Sequence, residues 1–256
     1  MESIVVIPTY NEAGNVSTLI SAILDLGQFD VLIVDDNSPD GTGELADALA
    51  GEHPGRVHVL HRQTKTGLGR AYVDGFARAL KGPYQYVLQM DADLSHDPGY
   101  LPTLLETLRS GEVDVVIGSR YASGGGTVGW PFKRRMLSWG GSLYARLVLG
   151  LKVRDVTGGF KGFRRVVLES LNLDRIRSNG YAFQIEVNFL CNRQGFRLAE
   201  VPIVFRERQI GASKLSKAIF WEALITVLRL RLGDWTFGRL DLRTLAVNWR
   251  HWFSGT

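Results

Sequence analysis

Short apolar runs alternate with helical patterns through the first half of the chain. Five runs have the length and composition of buried strands: Ile4–Pro8, Val31–Asp35, Val57–His61, Tyr86–Met90 and Val113–Gly118. The segments between them show helical periodicity over about Val16–Leu26, Gly43–Ala50, Gly69–Leu80 and Leu101–Arg109. Alternation of this kind is typical of doubly wound folds. We therefore predict an α/β fold with a mostly parallel sheet flanked by helices.

The second half is predicted to complete the same domain. Its segments are a Gly-rich, basic connection at Ser123–Arg135, a helix to about Leu149, a strand at Thr157–Phe163, helices at Val166–Leu171 and Ala182–Cys191, a strand at Arg197–Phe205 and an amphipathic helix at Lys214–Leu232. The chain has 256 residues, of which 45% are hydrophobic, which is enough for one large core. No linker or repeat divides it, so we expect a single domain over 1–232 and a tail over 233–256.

Positive charge and tryptophan are concentrated near the C-terminus. From Arg206 onward there are nine Lys and Arg against four Asp and Glu, whereas the rest of the chain holds 21 against 22. Four of the six tryptophans lie in the same region: Trp221, Trp235, Trp249 and Trp252. Aromatic and basic residues together suit a membrane interface. We expect residues 214–230 to pack on the domain and residues 231–256 to contact a membrane or a partner.

Composition also bears on compartment and partners. The single cysteine, Cys191, excludes an intramolecular disulfide and fits a reducing cytosol. The N-terminus leads directly into a strand without a signal peptide, and no uncharged stretch approaches the roughly 20 apolar residues of a membrane span. We expect a cytoplasmic protein, soluble or peripheral to a membrane. A nucleic-acid partner would rest on the basic tail alone, and no motif supports it.

Acidic residues follow three of the predicted strands. Asp91 and Asp93 leave the fourth strand, Asp36 leaves the second, and Glu12 follows Tyr10 beyond the first. Because the carboxyl ends of parallel strands meet at one edge, these side chains should converge there. An Asp-x-Asp pair can hold a hard divalent cation, which can in turn hold a diphosphate. The pattern therefore predicts a nucleotide-diphosphate substrate.

Simpler structural interpretations exist for some of these residues. Asn11 or Glu12 could cap a helix, and residues 37–41 have turn composition. The run Lys133–Arg135 could be a solvated charge cluster, although we favour function for it. His96 is expected to cap the helix after the aspartate pair. Glu186 is either a sugar-pocket residue or a buried, paired acid. The chain lacks both the Rossmann glycine pattern and a Walker loop.

Seven motifs occur in collinear order over residues 4–232: PTYNE, VDDNSPDG, KTGLGRAY, MDADLSH, GSRY, GW-x-x-KRR and R-x-x-x-x-S-K. Together they resemble the inverting glycosyltransferases of the GT-A fold, glycosyltransferase family 2. Within that family the chain is similar to the polyprenol (dolichol) monophosphate mannose synthases. The resemblance implies a catalytic domain over 1–232 that transfers mannose from GDP-mannose to the phosphate of a membrane polyprenol. It also implies a β-linked product and Mg²⁺ or Mn²⁺ as the cofactor.

The resemblance also implies residue roles. The donor site would consist of Pro8, Tyr10, Glu12, Val34, Asp36, Asp91, Ala92, Asp93, Arg120, Arg208 and Lys214. Metal ligands would be Asp91, Asp93 and Ser95, the last standing where some relatives have Gln. The acceptor phosphate would be held by Arg120, Arg134 and Ser138, and the catalytic residues would be Asp93, Arg120 and Arg134. Gly159 and Lys161 depart from the family's T-S-G-F-R stretch, so no role is assigned to them.

The expected chemistry is consistent with a phosphate acceptor. An alcohol acceptor needs a carboxylate base, whereas a phosphate monoester, with a second pKa near about 6, is already an anionic nucleophile. It needs to be clamped, and arginine does this bidentately. The chain has neither a Glu-Asp dipeptide nor a Q-x-x-R-W string, which also favours a lipid phosphate.

A polyprenyl tail stays in the bilayer, so the enzyme should act peripherally at the cytoplasmic membrane face, and we hypothesise that it docks on an integral membrane protein. Two alternatives remain open. One is a prenyl-phosphate glucosyltransferase that uses UDP-glucose. The other is a non-catalytic nucleotide-sugar-binding module.

Overall fold

The structure, a computed structural model, describes residues 1–176, 178–207 and 217–232. Within them lie nine strands: β1 Ser3–Thr9, β2 Asp30–Asp35, β3 Val57–His61, β4 Tyr86–Gln89, β5 Val115–Ser119, β6 Gly126–Val128, β7 Lys161–Arg164, β8 Leu198–Pro202 and β9 Val204–Arg206. The same residues form eight α-helices: α1 Val16–Asp25, α2 Thr42–Glu52, α3 Leu68–Ala79, α4 Leu101–Arg109, α5 Phe132–Leu149, α6 Arg165–Ser170, α7 Gly180–Arg193 and α8 Lys217–Leu232.

Seven strands form the central sheet in the order β3-β2-β1-β4-β7-β5-β8. Neighbouring strands are parallel, except that β7 runs antiparallel to both β4 and β5. The predicted α/β class and mostly parallel sheet are therefore confirmed. The strand order changes direction between β1 and β4, because β2 and β3 lie on one side of β1 and β4 on the other. Ligands of open α/β sheets bind outside the carboxyl ends of the strands at such a switch point.

The two faces of the sheet are covered by different helices. Alternate residues of β1 point to opposite faces, with Val5 and Ile7 on one side and Ile4 and Val6 on the other. The first side packs against α1, α2 and α4, and the second against α3, α5, α6, α7 and α8. Every residue of β1 and β2 is buried, which explains why these strands read as nearly continuous apolar runs.

Two predicted strands differ from the observed ones. The strand expected at Thr157–Phe163 begins only at Lys161; just before it, the Gly159 carbonyl accepts from the side chain of Gln89 and not from the backbone of a neighbouring strand. The strand expected at Arg197–Phe205 is divided into β8 and β9. It leaves the central sheet after Pro202, and β9 pairs with β6 in a second, two-stranded sheet.

The predicted Gly-rich, basic connection contains regular secondary structure. Residues 126–128 form β6, and α5 begins at Phe132, so Lys133, Arg134 and Arg135 lie in the first turn of a helix and not in a loop. The C-terminal helix is described from Lys217, and residues 214–216 lie outside the described part of the chain. Its Val227 is buried against the second face of the sheet. Among the helices that the structure describes, none is long and apolar enough to span a bilayer.

Candidate active site

The carboxyl edge of the sheet opens into a cavity of about 330 Å³. Its walls come from the ends of β1, β2, β4 and β5, from the loop before β7 and from the starts of α3, α5 and α7. The cavity brings together nine of the residues predicted from sequence: Pro8, Tyr10, Glu12, Asp36, Asp91, Ala92, Asp93, Arg120 and Arg134. Residues more than 100 positions apart in the chain therefore line one space at the topological switch point.

Three predicted residues do not line this cavity. Val34 lies in β2 with its side chain in the core beneath α3, so only its backbone could meet a ligand. Ser95 is buried with its Oγ unpaired among the described residues. Ser138 accepts a 2.7 Å hydrogen bond from the Tyr121 hydroxyl and lines a neighbouring cleft. The predicted Arg208 and Lys214 lie outside the described residues.

The aspartate pair follows β4 directly. Asp91 accepts a 2.8 Å hydrogen bond from the hydroxyl of Tyr72, whose pKa is raised well above its usual value by burial and by Asp91 itself. This hydroxyl consequently stays protonated and orients the carboxylate. Asp93 is buried, and its Oδ1 accepts from the backbone N–H of Ser95 at 3.1 Å. Both side chains are thus held in place at the cavity floor.

The donor atoms at this floor suit a hard divalent cation. Carboxylate oxygens are the ligands that Mg²⁺ and Mn²⁺ prefer. Among the described residues, no cluster of three or more His, Cys, Asp or Glu side chains could hold a metal by itself. The chain therefore offers Asp91 and Asp93, a set that leaves several coordination positions for water and substrate phosphate.

Asp36 is clamped by an arginine that the sequence analysis did not single out. Arg62 donates to Asp36 Oδ1 and, through Nε, to Asp74 at 2.8 Å. Burial raises the pKa of Asp36, although Arg62 and Lys65 oppose the rise. Lys65 Nζ also lies 3.4 Å from the ring centroid of Tyr10, a cation–π contact at the cavity wall. Arg62 directly follows β3 and therefore lies at the same edge of the sheet. Its position immediately after a predicted strand could have identified it from the sequence as a candidate site residue.

Arg120 is bound by a buried carboxylate. Its Nε and Nη2 donate to Asp155 at 2.7 Å each, and Nη2 also donates to the Thr157 hydroxyl at 2.8 Å. Burial alone would lower the pKa of Arg120, but Asp155 more than offsets this and the pKa is raised. Burial would likewise raise the pKa of Asp155, and Arg120 holds it below its usual value instead. The pair is therefore fully ionised inside the protein.

Arg134 lies at the start of α5, beside an aromatic ring. Its guanidinium carbon is 4.2 Å from the Trp130 ring centroid, and its Nη1 donates to Glu207 at 2.7 Å. Its Nε is buried and has no hydrogen-bond partner among the described residues. Trp130 and Glu207 thus hold the guanidinium in place, and its Nε–H has no acceptor within the described residues.

A smaller, mostly apolar cleft of about 70 Å³ adjoins the cavity. It lies between α5, α7 and α8 and includes Leu137, Tyr144 and Ile185. Four residues line both spaces: Trp130, Arg134, Thr157 and Tyr181. The basic end of the cavity therefore continues into an apolar surface.

His96 and Glu186 both differ from their predicted roles. His96 does not cap the following helix, because Asp97 does so by accepting from Gly99 N at 2.8 Å. His96 instead packs between Phe160 and Phe205, and burial lowers its pKa. Glu186 does not line the cavity, so the prediction of a sugar-pocket residue is wrong; it is half-buried rather than buried, and its Oε2 accepts from the backbone N–H of Ser178 at 3.2 Å.

Unpaired buried polar atoms cluster around the cavity. Within the described part of the chain, four such atoms belong to cavity-lining residues: His96 Nδ1, Trp130 Nε1, Arg134 Nε and Gln184 Nε2. Buried polar groups are normally hydrogen-bonded, so a concentration of unpaired ones at one opening is typical of a ligand site. No individual role was assigned from the sequence to Trp130, Asp155 or Gln184. The relation of Asp155 and Gln184 to the site depends on contacts with residues distant in the chain.

Fold and site together define a glycosyltransferase of the GT-A type. The chain belongs to glycosyl transferase family 2, whose model matches residues 4–171. It is 48% identical over 234 residues to the undecaprenyl-phosphate mannosyltransferase of Micrococcus luteus, covering 91% of this chain and 95% of that protein. It is 44% identical over 241 residues to the polyprenol monophosphomannose synthase of Mycolicibacterium smegmatis, covering 93% and 89%.

Solved structures support the fold. The glucosyl-3-phosphoglycerate synthase of Mycobacterium tuberculosis, crystallised with Mn²⁺, UDP and glucosyl-3-phosphoglycerate, superposes with a TM-score of 0.66 at 22% identity over 89% of this chain and 79% of that one. A mannosyltransferase of Pyrobaculum calidifontis in complex with GDP-Man and Mn²⁺ superposes with a TM-score of 0.54 at 18% identity over 98% and 79%. At these identities the likeness is one of fold.

Proposed function

We propose that this glycosyltransferase moves mannose from GDP-mannose to the phosphate of a polyprenyl monophosphate, with inversion, to give a β-linked product. The relatives at 48% and 44% identity, both named as enzymes of this kind, support the acceptor class and the sugar. One structural observation carries the proposal: the aspartate pair and two arginines line a single cavity, and the end that holds Arg134 continues into an apolar cleft. A charged donor and a lipid phosphate could meet there.

The donor would bind along the carboxyl edge of the sheet. Tyr10, Glu12 and Asp36 would contact the nucleoside, with Pro8 and Ala92 beside it and the backbone of Val34 at the same edge of the sheet. Arg208 and Lys214 are proposed from the resemblance alone to close over the phosphates. Mg²⁺ or Mn²⁺, held by Asp91 and Asp93, would neutralise the charge that develops on the diphosphate leaving group. Ser95 is proposed as a further ligand, although its side chain is not at the cavity surface.

The acceptor phosphate would bind at the arginine end. Arg134 offers its unpaired Nε, while Asp155 and Thr157 hold Arg120 through Nε and Nη2 and leave Nη1 for a phosphate oxygen. Because a phosphate monoester is already anionic near neutral pH, these residues need only orient it and reduce its repulsion from the donor. Ser138 lines the adjoining cleft, where it would contact the phosphate or the first carbons of the lipid.

The polyprenyl tail requires the enzyme to work at a membrane surface, and we propose the cytoplasmic face. Helix α5 carries an exposed apolar stripe of Phe132, Met136, Trp139 and Leu147. The positions are spaced for one face of a helix, and exposed Lys133 and Arg135 flank them. Residues 1–232 would form the catalytic domain. The tail at 233–256, which lies outside the described residues, would contact the membrane or an integral membrane partner.

The test is transfer of labelled sugar into an organic-extractable lipid. Purified protein receives GDP-mannose or UDP-glucose with polyprenyl phosphate, with and without Mg²⁺ or Mn²⁺. Metal-dependent label from GDP-mannose alone is expected. Label from UDP-glucose alone would replace the donor and keep the mechanism, while nucleotide binding without turnover would indicate a binding module or a missing membrane partner. Arg134→Gln should abolish lipid labelling, whereas Arg78→Gln, at an exposed position near the end of α3, should retain it.

A further inference from the structure

Gln184 is a cavity residue for which neither the motifs nor the proposed mechanism has a role. It lies in α7, is 2% exposed and lines the large cavity. Its side chain meets that of Gln89, from the last position of β4. Two amides in contact at the floor of a site are informative, because an amide has one accepting and one donating end and its partners decide which end faces the cavity.

The orientation of both amides follows from one backbone carbonyl. Gln89 Nε2 is 2.8 Å from the Gly159 carbonyl oxygen and 2.9 Å from Gln184 Oε1. A carbonyl oxygen can only accept, so the atom of Gln89 that faces it must be the NH₂ group. The atom of Gln184 that faces the same NH₂ group must then be its oxygen. The NH₂ group of Gln184 is therefore turned away from Gln89.

This NH₂ group lacks an acceptor. Gln184 Nε2 is buried and has no hydrogen-bond partner among the described residues. A buried donor left unsatisfied is unfavourable, and in a cavity wall a ligand can supply the missing acceptor. Among the described residues, Gln184 is the one Asn or Gln that lines the cavity, so no other side-chain amide there could offer a donor.

The backbone that carries Gln184 is held rigidly. The fully buried Lys161 donates through Nζ to the Gln184 carbonyl oxygen at 3.1 Å and to Asn188 Oδ1 at 2.9 Å. Asn188 Nδ2 in turn donates to the Val156 carbonyl oxygen at 3.1 Å, which ties α7 to the loop before β7. A donor on a packed helix, fixed at both its amide and its backbone, suits selective recognition.

The position of the amide relates it to the aspartate pair. Gln184 contacts Gln89, which precedes Asp91 by two residues, and a Cβ on Gly159 would be 3.1 Å from Asp91 Oδ2. Gln184 therefore lies beside the carboxylates that are proposed to hold the diphosphate, where the attached sugar would lie. The phosphates have arginines to bind them, whereas a neutral amide matches a hydroxyl oxygen.

We propose that Gln184 Nε2 donates a hydrogen bond to a hydroxyl oxygen of the transferred sugar and so helps to select that sugar. The inference rests on the proposed function in requiring a nucleoside-diphosphate sugar as the donor. A site built to hydrogen-bond one hydroxyl discriminates strongly against analogues that lack it, because its own donor is then left unpaired. Gln89 and Lys161 act as positioning residues for this contact.

The experiment separates the sugar from the nucleotide. Calorimetry with Mn²⁺ measures the affinity of wild type, Gln184→Leu and Gln184→Met for GDP-mannose and for GDP. Both variants should bind GDP-mannose about 10- to 100-fold more weakly and GDP equally well. Gln184→Met keeps the length of the side chain and adds no charge beside the aspartate pair while removing the donor, and it serves if the leucine variant unfolds. Gln194→Leu, at the C-terminal end of the same helix, is the matched control and should change neither affinity.

Deoxy donors provide a test that needs no folded variant. Wild type should lose affinity for one GDP-mannose analogue that lacks a single hydroxyl, and the Gln184 variants should lose nothing further with that analogue. An equal loss of GDP and GDP-mannose affinity, or a uniform response to all the deoxy donors, would overturn the inference. If wild type binds UDP-glucose and not GDP-mannose, the proposed donor fails, and the same comparison with UDP-glucose and UDP decides the role of Gln184 separately.

Discussion

The guanidinium of Arg120 and the carboxylate of Asp155 form a bidentate pair, with two hydrogen bonds of 2.7 Å, in the protein interior. The backbone N–H of Arg120 donates a third hydrogen bond to the same carboxylate at 3.0 Å. Arg120 is thus a rigid cation whose position is determined by a loop 35 residues away. A preorganised charge of this kind stabilises a developing anion without reorganisation during the reaction.

Removing one partner of this pair should destabilise the protein. Asp155→Ala leaves the buried Arg120 unpaired, and we expect the free energy of unfolding to fall by about 3–5 kcal/mol, as is usual for a broken buried ion pair. Urea denaturation measures it. The double variant Arg120→Met/Asp155→Leu should recover most of the stability but none of the activity, because no buried charge remains and the phosphate ligand is lost.

An exposed ion pair is the control for this prediction. Glu2 pairs with Arg109 at 2.6 Å, but Glu2 is half exposed. Glu2→Gln should change the free energy of unfolding by less than about 1 kcal/mol. Equal losses in Asp155→Ala and Glu2→Gln would contradict the assignment of Arg120–Asp155 as a buried structural pair.

The aspartate pair should be essential to transfer and dispensable to the fold. Asp93→Ala removes a proposed metal ligand, so sugar transfer should fall by at least about 10²-fold, since the leaving group loses its counter-charge. Circular dichroism should be unchanged. Transfer of radiolabelled sugar measures the activity, and titration with GDP in the presence of Mn²⁺ measures metal-dependent nucleotide binding. Asp47→Ala, at an exposed position of α2, should retain activity; near-normal transfer by Asp93→Ala would refute the metal assignment.

Lys161 should make stability depend on pH. Burial lowers its pKa to about 7 from 10.5, against the opposing effects of Cys191 and Asp155. The unfolded chain therefore holds more protons than the folded one between these two values, and the contribution of this group to the free energy of unfolding rises with pH across that window. Relative to Lys161→Met, wild type should gain on the order of a few kcal/mol between pH of about 7 and about 10.

Urea denaturation of both proteins at several pH values in this window measures the difference between their free energies of unfolding. The other titrating groups contribute equally to both proteins and therefore cancel in this difference. Lys152→Met, at an exposed position, is the control and should track wild type at every pH. A wild-type advantage over Lys161→Met that stays constant with pH would show that Lys161 does not release its proton in the folded state.

The apolar stripe of α5 should mediate membrane association. Trp139→Ser combined with Leu147→Ser removes two exposed apolar side chains, so affinity for anionic vesicles should fall by roughly tenfold or more. Transfer to a short-chain, water-soluble prenyl phosphate should persist, because neither residue lines the cavity or the cleft. Vesicle co-sedimentation measures the first effect. Leu45→Ser, in the helix layer on the other face of the sheet, is the control; equal binding by the stripe variant would place the contact elsewhere.

Much of the fold could be predicted from local patterns. The strands and helices of the first half lie within one or two residues of their predicted bounds, as with α4 at Leu101–Arg109, because buried strands and amphipathic helices have characteristic periodicities. The second half was less predictable. β7 reads like any other strand, yet it inserts antiparallel between β4 and β5, and pairing partners are set by long-range contacts that leave no local pattern.

The sequence by itself determined the α/β class, the acidic edge and the family, because each of these depends on residue types near one another in the chain. Only the tertiary structure decided that Arg120 is held by Asp155, that Asp36 is held by Arg62, and that Lys133–Arg135 lie in the first turn of a helix. It also decided that the NH₂ group of Gln184 is left without a partner. These relationships depend on distances and hydrogen-bond directions between segments far apart in the chain, and such quantities exist only once the sheet and its helices have packed.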